Sequence, residues 1–231
     1  MVTGIIGAME IEVAALKESM TDCQVTKKAR MGFNRGKLCG RDVVVVRSGV
    51  GKVNAGICAQ ILCDDFGAGA IINTGVAGSL KPEINIGDIV LSKETLQHDM
   101  DATGFGYPEG EIPQMDRSVF EGDKHLIELA RDVCAKELAQ INVFEGRIVS
   151  GDQFISSDEK KEHIISRFGG LCTEMEGAAI AQAAYLNGVP FLVIRAISDK
   201  ADNSAQMDYP EFEKMAAANS VKLIKGLLTR M

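Results

Sequence analysis

The sequence predicts an α/β layered fold with a largely parallel or mixed sheet, on three observations. Short β-branched apolar runs recur between glycines, longer segments with helical spacing alternate with them, and no Pro-, Ser- or Gly-rich linker divides the chain. The apolar runs at Ile5 and Ile6, 43–46, 70–72, 88–91, 143–149 and 190–197 are short and rich in Val and Ile, which fits buried strands better than helices. Segment 53–66 sets Val53, Ile57, Ile61 and Leu62 along one side, and 125–138 does the same with Leu126, Leu129, Val133 and Leu138. Segment 175–186 follows with small and apolar residues. The stretch 209–228 ends the chain with Phe212, Met215, Ala216, Ser220 and Leu223 at similar spacing. The early part differs: 24–29, 32–38 and 41–47 lie close together, with turn signals at Met31-Gly32 and Gly40-Arg41. They predict a small antiparallel meander before the first long helix. Segment 97–114, rich in Gly, Pro and Asp, is the one long irregular stretch, and such a loop in a compact domain is usually functional or mobile. Without linker or repeat, residues 1–231 read as one domain.

Composition narrows the function classes. The 231 residues are 46% hydrophobic with a formal charge of -7, so the chain has material for a sizeable core. It lacks the concentrated basic surface that a nucleic-acid or anionic-membrane partner needs. The start MVTGIIGAMEIEV turns acidic after a few apolar residues, unlike a signal peptide, and no run approaches the ~20 apolar residues of a membrane helix. A cytoplasmic location is expected. The six cysteines form no CxxC pair and join no histidine at zinc spacing, which predicts reduced, mostly buried thiols and no metal.

The glycine clusters exclude two nucleotide-binding loops. GIIGAME is not a GxGxxG fingerprint. SGVGKVNAG has Val46 where a phosphate loop needs its first glycine, and Val53 where the loop needs a Ser or Thr for magnesium. In NTGVAGSL, Gly75 and Gly78 let the backbone approach either a ligand or a neighbouring helix, and spacing alone does not separate the two.

Read in order, the segments IIGAMEIEV, SGVGKVNAG, NTGVAGSL, GDIVLS, HDMDATGFGYP, VSGDQFI, EMEGAAIAQ and RAISDKAD resemble the 5′-methylthioadenosine/S-adenosylhomocysteine nucleosidases of the nucleoside phosphorylase superfamily. The resemblance covers essentially the whole chain. It implies a three-layer α/β/α fold around a mixed, partly closed sheet, a homodimer, a nucleoside substrate, no cofactor and no metal. It further implies that Glu12 accepts a proton from the attacking water and that Asp199 is the general acid facing the purine. Arg195 and Ser198 match neighbours of the water and of the acid. Met175 and Glu176 match the ribose-binding pair, with Glu174 beside them. Phe154 matches a purine-stacking platform and Ile155 a backbone reader of the base edge. Val76, Ala77 and Gly78 fall in the substrate-binding loop, and Met9, Val50 and Tyr209 resemble the lining of the 5′-alkylthio pocket. Phe105, Tyr107 and Pro113 resemble the part contributed across the dimer interface. Two positions depart from the pattern: Val76 stands where relatives often carry Ser, and Tyr209 where Phe is expected.

The chemistry of these residues agrees with that reading. Cleaving a ribosyl C–N bond requires neutralising the leaving base, tolerating positive charge on the sugar and aiming water at the anomeric carbon, tasks that carboxyl groups divide in glycoside hydrolysis. Asp199 follows the apolar run 191–197 directly, so it is placed to emerge at a strand end, with a pKa raised by desolvation. Each residue also has a plainer reading. Glu10 and Glu12 fit the acidic first turn of a helix, Glu174 and Glu176 fit exposed residues opening one, Ser198-Asp199 fits a helix cap, and Phe154 fits core. Carboxylates at Glu10 and Glu12 repel phosphate and suit water. Arg195 argues the other way, as a good phosphate ligand. A phosphorylase, a futalosine-type hydrolase and a non-catalytic nucleoside-binding protein are the alternatives.

Overall fold

The computed structural model describes residues 1–231, the side chains of Gln206, Met207, Pro210, Glu211 and Glu213 apart. Strand β1 (Val2–Gly7) leads into α1 (Glu10–Glu18), and a meander follows of β2 (Thr21–Lys28), β3 (Met31–Leu38) and β4 (Arg41–Arg47). Next come α2 (Lys52–Phe66), β5 (Ala68–Ser79), β6 (Ile89–Gln97), the short β7 (Phe120–Glu121) and α3 (Lys124–Glu137). The chain continues with β8 (Val143–Ser150), α4 (Asp158–Phe168), β9 (Cys172–Glu174), α5 (Gly177–Leu186), β10 (Phe191–Asp199) and α6 (Ala205–Arg230).

The sheet is mixed and partly closed. Strand β5 pairs in parallel with β10, β10 antiparallel with β6, β6 in parallel with β8, and β8 in parallel with β9. Strand β9 then returns antiparallel to the end of β5, at Gly78↔Thr173. Those five strands form a ring, and β1, β4, β3 and β2 extend from β5 as an open arm.

Neighbouring residues on the central strands face opposite sides, and both sides are apolar. Ile5, Val43, Val45, Ile72, Leu192 and Ile194 join the core beneath α1, α3 and α6. Ile6, Val44, Val46, Ile71, Val193 and Ile197 join the core beneath α2 and α5. Burial on both faces is why these strands read as continuous apolar runs and why helices cover both sides. The result is the three-layer arrangement. A third, smaller cluster of Leu80, Leu96, Val149, Ile155, Ile164 and Phe168 lies under α4.

Several local expectations are corrected. The first meander turn lies at Ala29 and Arg30, with φ of 46° and 62°, and not at Met31-Gly32, whose residues belong to β3. Two consecutive positive φ values are what a tight two-residue hairpin loop requires. The second turn falls at Cys39 and Gly40, again both positive. Helix α5 starts at Gly177 and α6 at Ala205, displaced from the expected 175 and 209. Segment 97–114 carries one short 3-10 turn, Thr103–Phe105, and is otherwise irregular after β6 ends. Cys58, Cys134 and Cys172 are buried, Cys63 is half-buried, Cys23 and Cys39 are exposed, and all six are free thiols. Among the described residues no helix is long and apolar enough to cross a membrane.

Candidate active site

A partner exchange along β5 creates the site. One edge of this strand pairs with β1 as far as Asn73 and with β9 from Gly78 onward. In the opening between them the Val76 N–H donates to the Glu12 carboxylate, at 3.2 Å from Oε1. The other carboxylate oxygen, Oε2, accepts from the Met9 N–H at 2.9 Å, as a glutamate in the first turn of a helix does. Glu12 is thus in the first turn of α1, as the plainer reading held, yet it is only 3% exposed. Burial raises its pKa, and backbone donors and Arg195 oppose the rise without cancelling it. Glu10 points to solvent and pairs with Lys17 at 2.9 Å, which separates the two acids.

Around this opening lies a cavity of about 380 Å³. Glu12, Val76, Ala77 and Gly78 form one wall, and Ser198 and Asp199 at the end of β10 form the next. Glu174, Met175 and Glu176 line a third side, and Met9, Val50, Phe154 and Tyr209 surround the mouth. Ala8 and Thr173 complete the lining. Sequence reasoning passed over these last two, although each adjoins a singled-out residue.

Asp199 is a strand-end residue, register-paired with Gly78, and not a helix cap. Its Oδ1 accepts the Ala201 N–H at 2.8 Å and its Oδ2 accepts the Ser198 hydroxyl at 2.9 Å. Burial pushes its pKa up against those two hydrogen bonds. The glycines beside it have a steric purpose. A Cβ at Gly78 would meet Asp199 Oδ1 at 2.7 Å, and one at Gly75 would meet Glu12 Oε1 at 2.7 Å. Both glycines therefore make room for carboxylates of the chain itself, a use that the expected choice between a ligand and a neighbouring helix did not include.

Glu174 and Glu176 are buried, each 7% exposed, so the reading that made them a solvated helix start is overturned. They behave oppositely. Burial raises the Glu174 pKa, but the Arg195 guanidinium and the Ser150 hydroxyl more than compensate and hold it below the usual range. Gly177 N–H also donates to it, at 2.8 Å. Burial and the neighbouring Glu174 charge push Glu176 up to about 8, while the Gly51 N–H donates to its Oε1 at 2.8 Å. Burial disfavours charge on both, and only Glu174 has a guanidinium beside it.

Arg195 stands behind the lining. It is 1% exposed and bonds Glu174 through Nε and Nη2, Asn73 Oδ1 through Nη2 and the Ile194 carbonyl through Nη1. Among the described residues no lysine, arginine or histidine lines the cavity. Ile155 is also outside it, its side chain buried in the cluster under α4. Phe154 is 46% exposed and meets Tyr209 edge-on, with ring centroids 5.9 Å apart. The Tyr209 hydroxyl donates to Met9 Sδ at 3.1 Å. Phe105 (87% exposed), Tyr107 and Pro113 lie in the segment after β6 and do not line this chain's own cavity.

The phosphorylase superfamily matches this chain over residues 2–229. A 5′-methylthioadenosine/S-adenosylhomocysteine nucleosidase of Exiguobacterium sp. is 42% identical over 232 residues, covering 100% of this chain and 99% of its own length. The chain belongs to that nucleosidase family, within the phosphorylase superfamily. Among solved structures, the nucleosidase of Neisseria meningitidis in complex with methylthio-immucillin-A aligns with a TM-score of 0.96 at 39% identity, covering 100% of this chain and 99% of the other. Futalosine hydrolase of Helicobacter pylori aligns with a TM-score of 0.94 at 33% identity, covering 100% and 98%. The fold of this chain is thus also similar to that of a futalosine hydrolase.

Proposed function

We propose that this chain hydrolyses the N-glycosidic bond of 5′-methylthioadenosine and S-adenosylhomocysteine, releasing adenine and the 5-thioribose product. The observation that carries the reading is a cavity lined by four buried carboxyl groups, Glu12, Glu174, Glu176 and Asp199, and by no cationic side chain among the described residues. Such a lining repels phosphate, favours positive charge developing on a sugar, and leaves water as the nucleophile.

Asp199, its pKa raised by burial, carries the proton that goes to N7 of the purine. As the proton leaves, the Ser198 hydroxyl and the Ala201 N–H already point at the carboxylate that forms. Glu12 accepts the proton of the attacking water, oriented by the N–H groups of Met9 and Val76. Val76 adds no hydroxyl there, so Glu12 alone directs water from that wall. Glu176 accepts hydrogen bonds from the ribose hydroxyls beside Met175. Arg195 acts as a positioning residue, keeping Glu174 anionic and fixed behind the sugar. Phe154 stacks on the base, the Ile155 backbone reads its edge, and Met9, Val50 and Tyr209 receive the alkylthio tail. The reaction as drawn uses no metal or cofactor.

The working form is a homodimer in which Phe105, Tyr107 and Pro113 of one protomer complete the partner's site. The exposure of Phe105 two residues from the half-buried Tyr107 supports this, because two aromatics on one surface loop form an apolar patch that a partner would cover. The whole chain acts as one domain, in the cytoplasm, in methionine salvage and recycling of S-adenosylmethionine by-products. A futalosine-type hydrolase is the second reading, favoured by the fold match to that enzyme.

The test is base release from a panel of 5′-methylthioadenosine, S-adenosylhomocysteine, futalosine and adenosine in phosphate-free buffer. Rapid adenine release from the two thio-nucleosides is expected. Preference for futalosine selects the second reading, and strict dependence on added phosphate overturns hydrolysis.

A further inference from the structure

We propose that Lys52, Asp99 and Asp152 form a positioning ring outside the cavity that ties the Phe154 loop to the start of α2 and thereby sets substrate affinity. The inference rests on Phe154 being the base-stacking platform. The three residues come from three elements: the first turn of α2, the segment just past β6 and the loop after β8. Their hydrogen bonds close a circuit. The Lys52 backbone N–H donates to Asp152 Oδ1 at 2.8 Å, the Asp152 N–H donates to Asp99 Oδ2 at 2.8 Å, and the Lys52 ammonium reaches Asp99 Oδ1 at 2.6 Å. The same ammonium donates to Gln97 Oε1 at 2.8 Å, and Gln97 is held in turn by Gln182 of α5. The Lys52 and Asp99 side chains are only 17% and 13% exposed, so solvent screens their pairing less than at an open surface.

None of the three lines the cavity, yet the circuit joins two of its walls. On one side α2 is anchored to the ribose wall, because Gly51, next to Lys52, donates its N–H to Glu176. Gly51 has a φ of +96°, and a Cβ there would meet Asp152 Oδ1 at 3.0 Å, so the glycine and the carboxylate are fitted to each other. On the other side Phe154 follows Asp152 by two residues and is half exposed, held by its edge-on contact with Tyr209, by the buried Ile155 after it and by the loop backbone before it. Gly151 N–H adds one tie at the root of that loop, to the Glu174 carbonyl at 3.0 Å. The ring supplies the next tie on that side, at Asp152, and Gln153 adds an exposed one by accepting from the Lys160 ammonium at 3.1 Å. An aromatic platform stacks on the base before and during reaction alike, so misplacing it weakens binding more than turnover.

The experiment is a double-mutant cycle on the full-length enzyme, reading KM and kcat for 5′-methylthioadenosine together with the melting temperature. Asp99→Ala and Asp152→Ala are each expected to raise KM by about tenfold with kcat held within about threefold. Asp99→Asn, which keeps an acceptor for the Asp152 N–H, is expected to recover part of the loss. In a Phe154→Ala background the same substitutions are expected to raise KM by less than about twofold, because the platform they position is gone. Asp152 is exposed, so its variant carries the cycle if Asp99→Ala fails to fold. Unchanged KM in folded Asp152→Ala, or a full effect persisting without Phe154, overturns the inference. Absence of thio-nucleoside cleavage in the unsubstituted enzyme would instead overturn the proposed function.

Discussion

Two hollows of similar size on this molecule carry acidic side chains, and they are built in opposite ways. The groove of about 440 Å³ near β6 and α3 is lined by Lys93, Glu121, Lys124, Arg131 and Glu145 among others. Its charges meet in the open: Lys93 and Arg131 lie 3.6 Å and 3.5 Å from Glu145, and both cations are more than half exposed. The cavity at the end of β5 holds four carboxyl groups at 7% exposure or less, with its one nearby guanidinium withdrawn behind the wall. Acid count does not distinguish the two. What distinguishes the second is that burial works against charge there, and among the described residues only Glu174 is in ion-pair contact with a cation. Three carboxyl groups are thereby left with raised pKa values in a place where proton transfer is useful.

The contrast breaks most visibly at the two acids assigned to proton transfer. Asp199→Asn is expected to lower kcat by on the order of 10²–10⁴ while adenine and thio-nucleoside still bind, and Glu12→Gln by a similar factor. Steady-state kinetics with a separate binding measurement check this. Wild-type turnover in Asp199→Asn would remove that residue from the mechanism.

Glu176 sharpens the comparison through stability. Its pKa rises from 4.5 in the unfolded chain to about 8 in the folded one, so the stability its neutral form contributes is complete below pH 4.5 and is lost as pH climbs toward 8. Glu176→Gln has no such loss. Its melting temperature is expected to exceed wild type by a margin that widens across that window, reaching on the order of 10 °C at the upper end. The same variant is expected to hydrolyse substrate poorly, stability being gained where function is lost. A margin that narrows with rising pH would contradict the assigned shift.

The smallest effect belongs to the groove. Glu145→Gln is expected to change kcat/KM by less than about twofold and to leave the melting temperature nearly unchanged, since ion pairs with exposed partners contribute only about 0–1 kcal/mol. A large catalytic loss would show that the two hollows communicate.

The sequence made the central strands legible because β1, β4, β5 and β10 are buried on both faces and therefore written in Val, Ile and Leu. Helix α4 left no comparable trace. It is short and mostly polar, buries only Ile164 and Phe168, and announces itself through the Ser157 cap rather than through periodicity. Helix α1 was legible through its acidic first turn at Glu10 and Glu12 rather than through periodicity, because Glu12 occupies an inward position where the apolar rhythm would place a hydrophobic residue. The carboxylates were legible as a set through the family resemblance, and Asp199 also through its place after an apolar strand. Their environments were not legible. That Arg195 is spent on Glu174 and Asn73, and that β5 exchanges β1 for β9 beside Val76, depends on contacts between residues far apart in the chain. Local pattern carries no record of such pairings. The displaced meander turn has a local cause: Gly32 drew the expectation, while Ala29 and Arg30 adopt the positive φ values.

The most direct test of an acid-lined, cation-free cavity is the fate of oxygen in the products. With 5′-methylthioadenosine as substrate, in heavy-oxygen water and with phosphate present, the label is expected at the anomeric hydroxyl of the thioribose and no sugar phosphate is expected to form. A phosphorylated sugar lacking solvent label would contradict the account.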